Sequence, residues 1–311
     1  MRISDGGLWL DTLKGVLLTL TLFLAYVTFP LFGMLPGFFA PLPSLFFVCK
    51  RGPVAGILIL TFCTALLAAF GDPAVPLLYL LQSGVPALLL GSFYRAGQGV
   101  MKSISYTVAI DFALIILLAI GYGAAKGVDL QALVLKGIET SITQTASLYE
   151  NQGLKGEDLQ FLKQGMQQGG VFIARTFPAL LLVSLGTIAG LNLMALFRFG
   201  RQLLPLPERV PFREFRTPEP LVWVVIVAGF AMLVPERNAQ TVALNVLIAT
   251  GFIYFMQGLA VLQHHFDRFA LPRFMRILVY LFMLLQPYLL LGLASVGIFD
   301  IWGNFRTPKT K

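Results

Sequence analysis

Residues 104–122 read ISYTVAIDFALIILLAIGY, and this stretch decides the architecture. Crossing about 30 Å of hydrocarbon takes roughly 20 helical residues at 1.5 Å each, and Ile104 to Tyr122 offers that length with one charge, Asp111, near its middle. A membrane strand would alternate polar and apolar residues over about ten positions, whereas this run is continuously apolar. Lipid supplies no partner for a bare peptide group, so the run is read as a helix.

Comparable runs lie on both sides. Toward the N-terminus they cover Lys14 to Phe32, Phe38 to Val48, Val54 to Phe70 and Val75 to Tyr94; toward the C-terminus they cover Val171 to Phe197, Leu221 to Val234, Val242 to Leu262 and Ile277 to Phe299. The expected fold is an all-α, polytopic integral membrane helix bundle with about eight or nine transmembrane helices. Composition agrees: 57% of the 311 residues are hydrophobic and 12% charged, against roughly a quarter charged in a soluble domain, and the mean hydropathy is +0.80. The first run reaches Pro36 without a small-residue cleavage site, so it is expected to be a retained helix rather than a signal peptide.

Between Lys126 and Gly170 the pattern changes. Leu130, Val134, Ile138, Ile142, Ala146 and Tyr149 recur at helical spacing among polar residues, and Leu159, Leu162 and Met166 repeat the pattern after a glycine-containing break. Two amphipathic helices are expected, on the membrane or capping the bundle. The chain is thus divided into a six-segment module over 1–200, including the loop 127–170, then a basic loop over 201–219, and C-terminal helices with a short tail over 220–311.

The net charge of +8 resides in short loops rather than on one polar face, which favours membrane topology over nucleic-acid binding. With the N-terminus cytoplasmic, the inner side receives Arg2, Lys14, Lys50, Arg51, Arg95, Lys102, the five arginines from Arg198 to Arg216, and Arg268, Arg273 and Arg276. The outer side receives only Lys126, Lys136, Lys155, Lys163 and Arg237. Nine crossings then leave Arg306, Lys309 and Lys311 outside, against the rule. Either one segment is re-entrant, with Phe38 to Val48 and Leu221 to Val234 the suspects, or the tail is an exception.

No HExxH, paired-cysteine, Walker A or GxSxG element occurs, so neither an enzyme nor a cofactor is expected. Cys49 and Cys63 read as small apolar packing residues. His264 and His265 are adjacent, point about 100° apart on a helix, and have no third ligand nearby, so an interfacial pair is favoured over a metal site.

The informative residues are polar groups inside apolar runs, because a carboxylate at mid-bilayer costs about 3 kcal/mol unless paired or hydrated. Asp111 is either a substrate or proton site, or a buried acid that is neutral or bonded to a neighbouring helix. Arg175 either snorkels to the outer interface or binds an anionic group. Gln82, Asn192, Asn245, Gln257 and Gln286 are expected to hydrogen-bond between helices, and Pro287 to kink its segment.

Two sets of stretches carry resemblances. Lys50-Arg51-Gly52-Pro53-Val54-Ala55-Gly56 entering one helix and Gly71-Asp72-Pro73 leaving it resemble the substrate-binding S components of energy-coupling-factor vitamin transporters, over roughly residues 10–200. Residues Tyr254 to Val261 (YFMQGLAV) and Gly297 to Arg306 (GIFDIWGNFR), with Pro178-Ala179-Leu180-Leu181, are similar to the YybS-like bacterial membrane proteins, domain of unknown function 2232. The resemblances imply a bacterial cytoplasmic membrane, but the second family has no assigned activity to carry over. S components also offer small residues on the first helix to a coupling partner, and Gly15 and Thr19 are the comparable pair here.

The functional expectation is a small-molecule binding or transport protein. Its outward site is drawn from the Pro30 to Pro36 turn, Asp72, Tyr79, Gln82 and Arg175, with Asp111 deeper, beneath the loop 127–170. ATP-driven transport would need separate ATPase subunits. The alternative is a membrane scaffold in which Arg198 to Pro220 docks a cytoplasmic or membrane protein partner.

Overall fold

The computed structural model describes residues 5–29, 32–69, 71–200, 203–204 and 211–306. Among these residues all regular structure is helical. Five helices are long and apolar enough to cross a membrane, or six if one sharply bent pair counts as a single span. The eight or nine spans expected from the sequence included apolar runs that form shorter helices here. Leu117, Val227 and Leu284 are each more than 60% exposed, and such apolar exteriors suit contact with lipid, not water.

The chain packs as two compact units. The first comprises 1–125 and 184–209. Its helices are α1 (Asp5–Thr28), α2 (Met34–Phe38), α3 (Pro41–Arg51), α4 (Pro53–Ala68), α5 (Ala74–Tyr79), α6 (Val85–Arg95) and α7 (Gly99–Lys126). A π-helical turn, Leu80–Gly84, joins α5 to α6 without interrupting the span. The expected segment Phe38 to Val48 begins instead at Pro41, whose fixed φ opens α3, and most of the turn expected at Gly33 to Gly37 is the short helix α2, with Phe39 and Ala40 as the turn between them.

The Lys50-Arg51-Gly52-Pro53 motif has a structural explanation. Gly52 adopts φ +102, where a side chain would be strained, and Pro53 opens α4. Lys50 and Arg51 reach back 3.0 and 2.6 Å to the two carboxylate oxygens of Asp11 on α1, and Arg95 at the end of α6 donates to the Cys49 carbonyl at 3.1 Å. The start of α1 and the ends of α3 and α6 thus meet on one side, as the charge distribution requires. Gly15 and Thr19 also face inward: a methyl group on Gly15 would overlap Ile59, and Thr19 is hydrogen-bonded to Ser44 at 3.1 Å.

The second unit comprises 126–183 and 210–311. Residues 126–183, assigned from the sequence to the N-terminal module, group here with the C-terminal helices. They form α8 (Leu130–Asn151) and the beginning of α9 (Glu157–Phe199). The second expected amphipathic helix is not separate. Gly165, Gly169 and Gly170 continue the helix, which runs into the sixth apolar segment for 43 residues, about 65 Å and twice a hydrocarbon core. The apolar stripe of α8 has an internal partner: Ile138 and Ile142 lie where a methyl group on Gly170 of α9 would sit.

The unit continues through a 3₁₀ turn (Phe212–Glu214), α10 (Leu221–Ala231), α11 (Arg237–Arg268), α12 (Arg273–Leu285) and α13 (Pro287–Gly303). Helices α11 and α13 approach backbone to backbone, since a methyl on Gly258 would overlap the Leu293 carbonyl and one on Gly297 the Tyr254 carbonyl. The kink expected at Gln286-Pro287 is a break of 110°, with Gln286 extended at φ −119, as a residue preceding proline prefers.

Both ends of this bent pair are tied to one segment. Near its start, Arg276 donates to Asp267 at 2.7 Å, and Asp267 also receives Arg213 at 3.3 Å. After its end, Arg306 donates to the carbonyls of Arg213 and Phe215 at 2.9 and 2.8 Å. The nine-crossing count put Arg306 opposite the Arg213 loop, whereas the geometry puts them together. Lys309 and Lys311, like Arg201 and Arg209, lie outside the described residues.

Candidate functional site

The five residues singled out from the sequence have different surroundings. Asp72 is exposed and accepts the Ala74 amide at 2.9 Å, which starts α5. Tyr79 is fully buried, edge-on to Phe23 at 5.4 Å, and its hydroxyl lies near Cys63 and Ser44 without a well-formed hydrogen bond. Gln82 is half-buried in the π-helical turn, a feature that often accompanies functional positions. Pro30, part of the proposed turn, lies outside the described residues.

Asp111 is 1% exposed, and neither carboxylate oxygen has a hydrogen-bond partner. One turn earlier Thr107 is equally buried with its hydroxyl unpartnered, and Ser103 continues the same face of α7. The hydroxyls of Thr12 and Ser83 and Oδ1 of Asn192 are also buried without partners, although Asn192 donates through Nδ2 to the Phe38 carbonyl at 2.7 Å. All of these atoms belong to the first unit. Sequence inspection identified Asp111 as the lone charge in its run; Thr107, Ser83 and Thr12 carry no comparable signal, being ordinary in membrane helices.

Arg175 belongs to the second unit and has a partner there. Its guanidinium donates to Thr241 Oγ1 at 3.3 and 3.2 Å. One turn along α11, the Asn245 carboxamide inserts into the backbone ladder of α9: Oδ1 accepts the Ala179 amide at 2.9 Å and Nδ2 donates to the Arg175 carbonyl at 2.7 Å. The bridge replaces the ladder bond between those groups, beside Pro178, which has no amide to donate. Arg175 and Asn245 thus fasten α9 to α11.

Deeper in the second unit, Asp300 is 2% exposed and its partners are complete. It accepts from Gln257 Nε2 at 2.9 Å, from the Phe305 amide at 3.2 Å, and from Arg306 in a buried ion pair. Gln257 in turn accepts from both the amide and the hydroxyl of Thr217. The network joins the stretches Tyr254 to Val261 and Gly297 to Arg306, whose family resemblance was visible in the sequence.

Around Arg306 lies a cavity of about 660 Å³ lined by Arg213, Glu214, Arg216, His264, Asp267, Arg268 and Arg306. His265, beside it in sequence, directs Nδ1 at the Val261 carbonyl at 2.9 Å. Among the described residues no group of three or more His, Cys, Asp or Glu side chains is placed to hold a metal ion.

Comparison with known proteins agrees with this arrangement in its extent. Residues 17–301 match the family described as "Predicted membrane protein (DUF2232)". The chain is similar to the uncharacterized protein YybS of Bacillus subtilis (strain 168), with 22% identity over 298 residues, covering 92% of this chain and 93% of that protein. No solved structure matches.

Proposed function

The chain belongs to the DUF2232 family of membrane proteins, and from that premise we propose that its first unit binds a small solute within the bilayer, as the substrate-capture components of transporters do. The observation that carries the reading is the concentration of unpartnered buried polar atoms in that unit: Thr12, Ser83, Thr107, Asp111 and Asn192. A buried donor or acceptor without a partner costs about 1–3 kcal/mol, more in hydrocarbon, so a solute or bound water that completes these groups explains their retention. Asp111 and Thr107 are the polar lining of the site, on the helix whose Ile104 and Val108 pack against the core that holds Ala87, Leu90 and Tyr94 of α6.

The proposed topology counts the shorter helices α3, α4 and α10 as crossings beside the five long ones, eight in all, in a bacterial cytoplasmic membrane with the N-terminus inside and α12–α13 re-entrant. The basic tail then returns to the cytoplasmic side, and the violation of the positive-inside rule disappears. Because the chain carries no nucleotide-binding motif, ATP-driven transport would need separate ATPase subunits. The scaffold alternative has less support, since Arg213 of the basic loop is committed to Asp267.

Native mass spectrometry of gently purified protein tests the reading. The wild type is expected to retain a small molecule that Asp111→Asn and Thr107→Val lose, and a small-molecule extract of bacterial cells is expected to raise the melting temperature of the wild type alone. Ligand-free wild-type protein together with no thermal shift would contradict it.

A further inference from the structure

The arginine-lined cavity of the second unit is separate in composition from the polar interior of the first, and its chemistry differs. Four guanidiniums and two carboxylates line it, which leaves a net charge of +2 with His264 neutral. The carboxylates do not compensate evenly. Asp267 is shared by Arg213 and by Arg276 behind it, and Arg306 is paired with Asp300, whereas Arg216 and Arg268 have no ion pair among the described residues. Arg306 is 8% exposed yet keeps its Nε–H unpartnered, a buried donor at the wall of the cavity.

All four cationic side chains that line it are arginine. Arginine presents a planar fork that binds the oxygens of a phosphate in pairs, whereas lysine offers a point charge. These residues come from three separate pieces of chain: the 3₁₀ turn and its neighbours, the end of α11, and Arg306, three residues after α13. Their convergence is tertiary, and the buried pair Arg306–Asp300 holds it in place. Trp302, in the last turn of α13, is 61% exposed, and tryptophan is a residue type enriched at the headgroup level of a bilayer.

We infer that Arg216, Arg268 and Arg306 form a binding site for a phosphate-bearing anion, either a lipid headgroup or a soluble phosphate compound. In this site Arg306 is the fixed donor, and Arg216 and Arg268 supply charge not already spent on an internal partner. Asp267 and Glu214 restrict the site to ligands that bring at least one full negative charge. The inference does not depend on solute binding by the first unit.

The test uses full-length protein in lipid nanodiscs, comparing wild type with Arg216→Gln/Arg268→Gln and with Arg216→Lys/Arg268→Lys. Neither position is part of the buried network, and circular dichroism checks that each variant is folded. In the lipid arm, native mass spectrometry counts phosphatidylglycerol and cardiolipin retained from mixed discs. In the soluble arm, inorganic phosphate is titrated in phosphatidylcholine discs, with the melting temperature as readout.

The Gln variant is expected to bind on the order of 100-fold more weakly in whichever arm is positive, and the Lys variant to recover part of the loss. Retention of anionic lipid by wild type alone identifies a headgroup; a shift with phosphate alone identifies a soluble ligand. If wild type and the Gln variant behave alike in both arms, the inference is overturned.

Discussion

Asp111 and Asp300 are both carboxylates on apolar helices, 1% and 2% exposed, yet their surroundings are opposite. Asp300 accepts from Gln257, Phe305 and Arg306, so α11, α13 and the residues after α13 are joined through it. Asp111 accepts from nothing, and its neighbour Thr107 is unpartnered too. Burial alone does not distinguish structural from functional acids in a membrane protein. The partners do: a buried charge that is paired and hydrogen-bonded holds the fold, while one left open is retained at a cost to stability, as functional groups are.

The largest effect is expected from Asp300→Ala. It leaves Arg306 buried without its counter-ion and Gln257 Nε2 without an acceptor, a loss of about 3–5 kcal/mol. Thermal unfolding in detergent should show it, together with protease sensitivity at the segment 211–217. A neutral result would remove the distinction drawn between the two acids.

An intermediate effect is expected from Asn245→Leu, which strands the Ala179 amide and the Arg175 carbonyl, about 1–3 kcal/mol. Pro178→Ala restores an amide to α9 and lets the ladder close. The loss caused by Asn245→Leu should therefore shrink in the Pro178→Ala background. Equal losses in both backgrounds would show that the carboxamide packs against α9 without replacing its ladder bond.

These residues also mark how far the sequence was legible. Asp111 stood out because one charge interrupts a long apolar run, and the amphipathic stripe of α8 was plain from its spacing. Membrane insertion followed from the same continuity. What was not legible depends on partners far away in sequence. The carboxamide of Asn245 meets α9 across 66 to 70 positions, and Arg306 meets the Arg213 carbonyl across 93. No periodicity encodes such pairings.

Helix boundaries failed for a local reason. The prolines and glycines of 33–37 were read as a turn, whereas most of them form α2 and the turn falls at Phe39 and Ala40, to which hydropathy is blind; apolar windows also joined α12 to α13 although Gln286-Pro287 announced a break. At 157–170 the error was opposite: the change from an amphipathic to an apolar pattern at Gly170 was read as a boundary, while the helix runs on through it and places Gly170 where α8 packs closely. The arginine cavity was missed because its members looked like topology determinants, and only their convergence around Arg306 distinguishes them.

The smallest effect on stability, and the most informative, is expected at Asp111. Unfolding Asp111→Asn and Asp300→Asn side by side in the same detergent tests the central contrast directly. With every protein first stripped of bound solute, the account predicts that Asp111→Asn melts at or above the wild-type temperature while Asp300→Asn melts well below it. Equal destabilisation by the two substitutions would show that Asp111 holds the fold as Asp300 does, and would contradict the account.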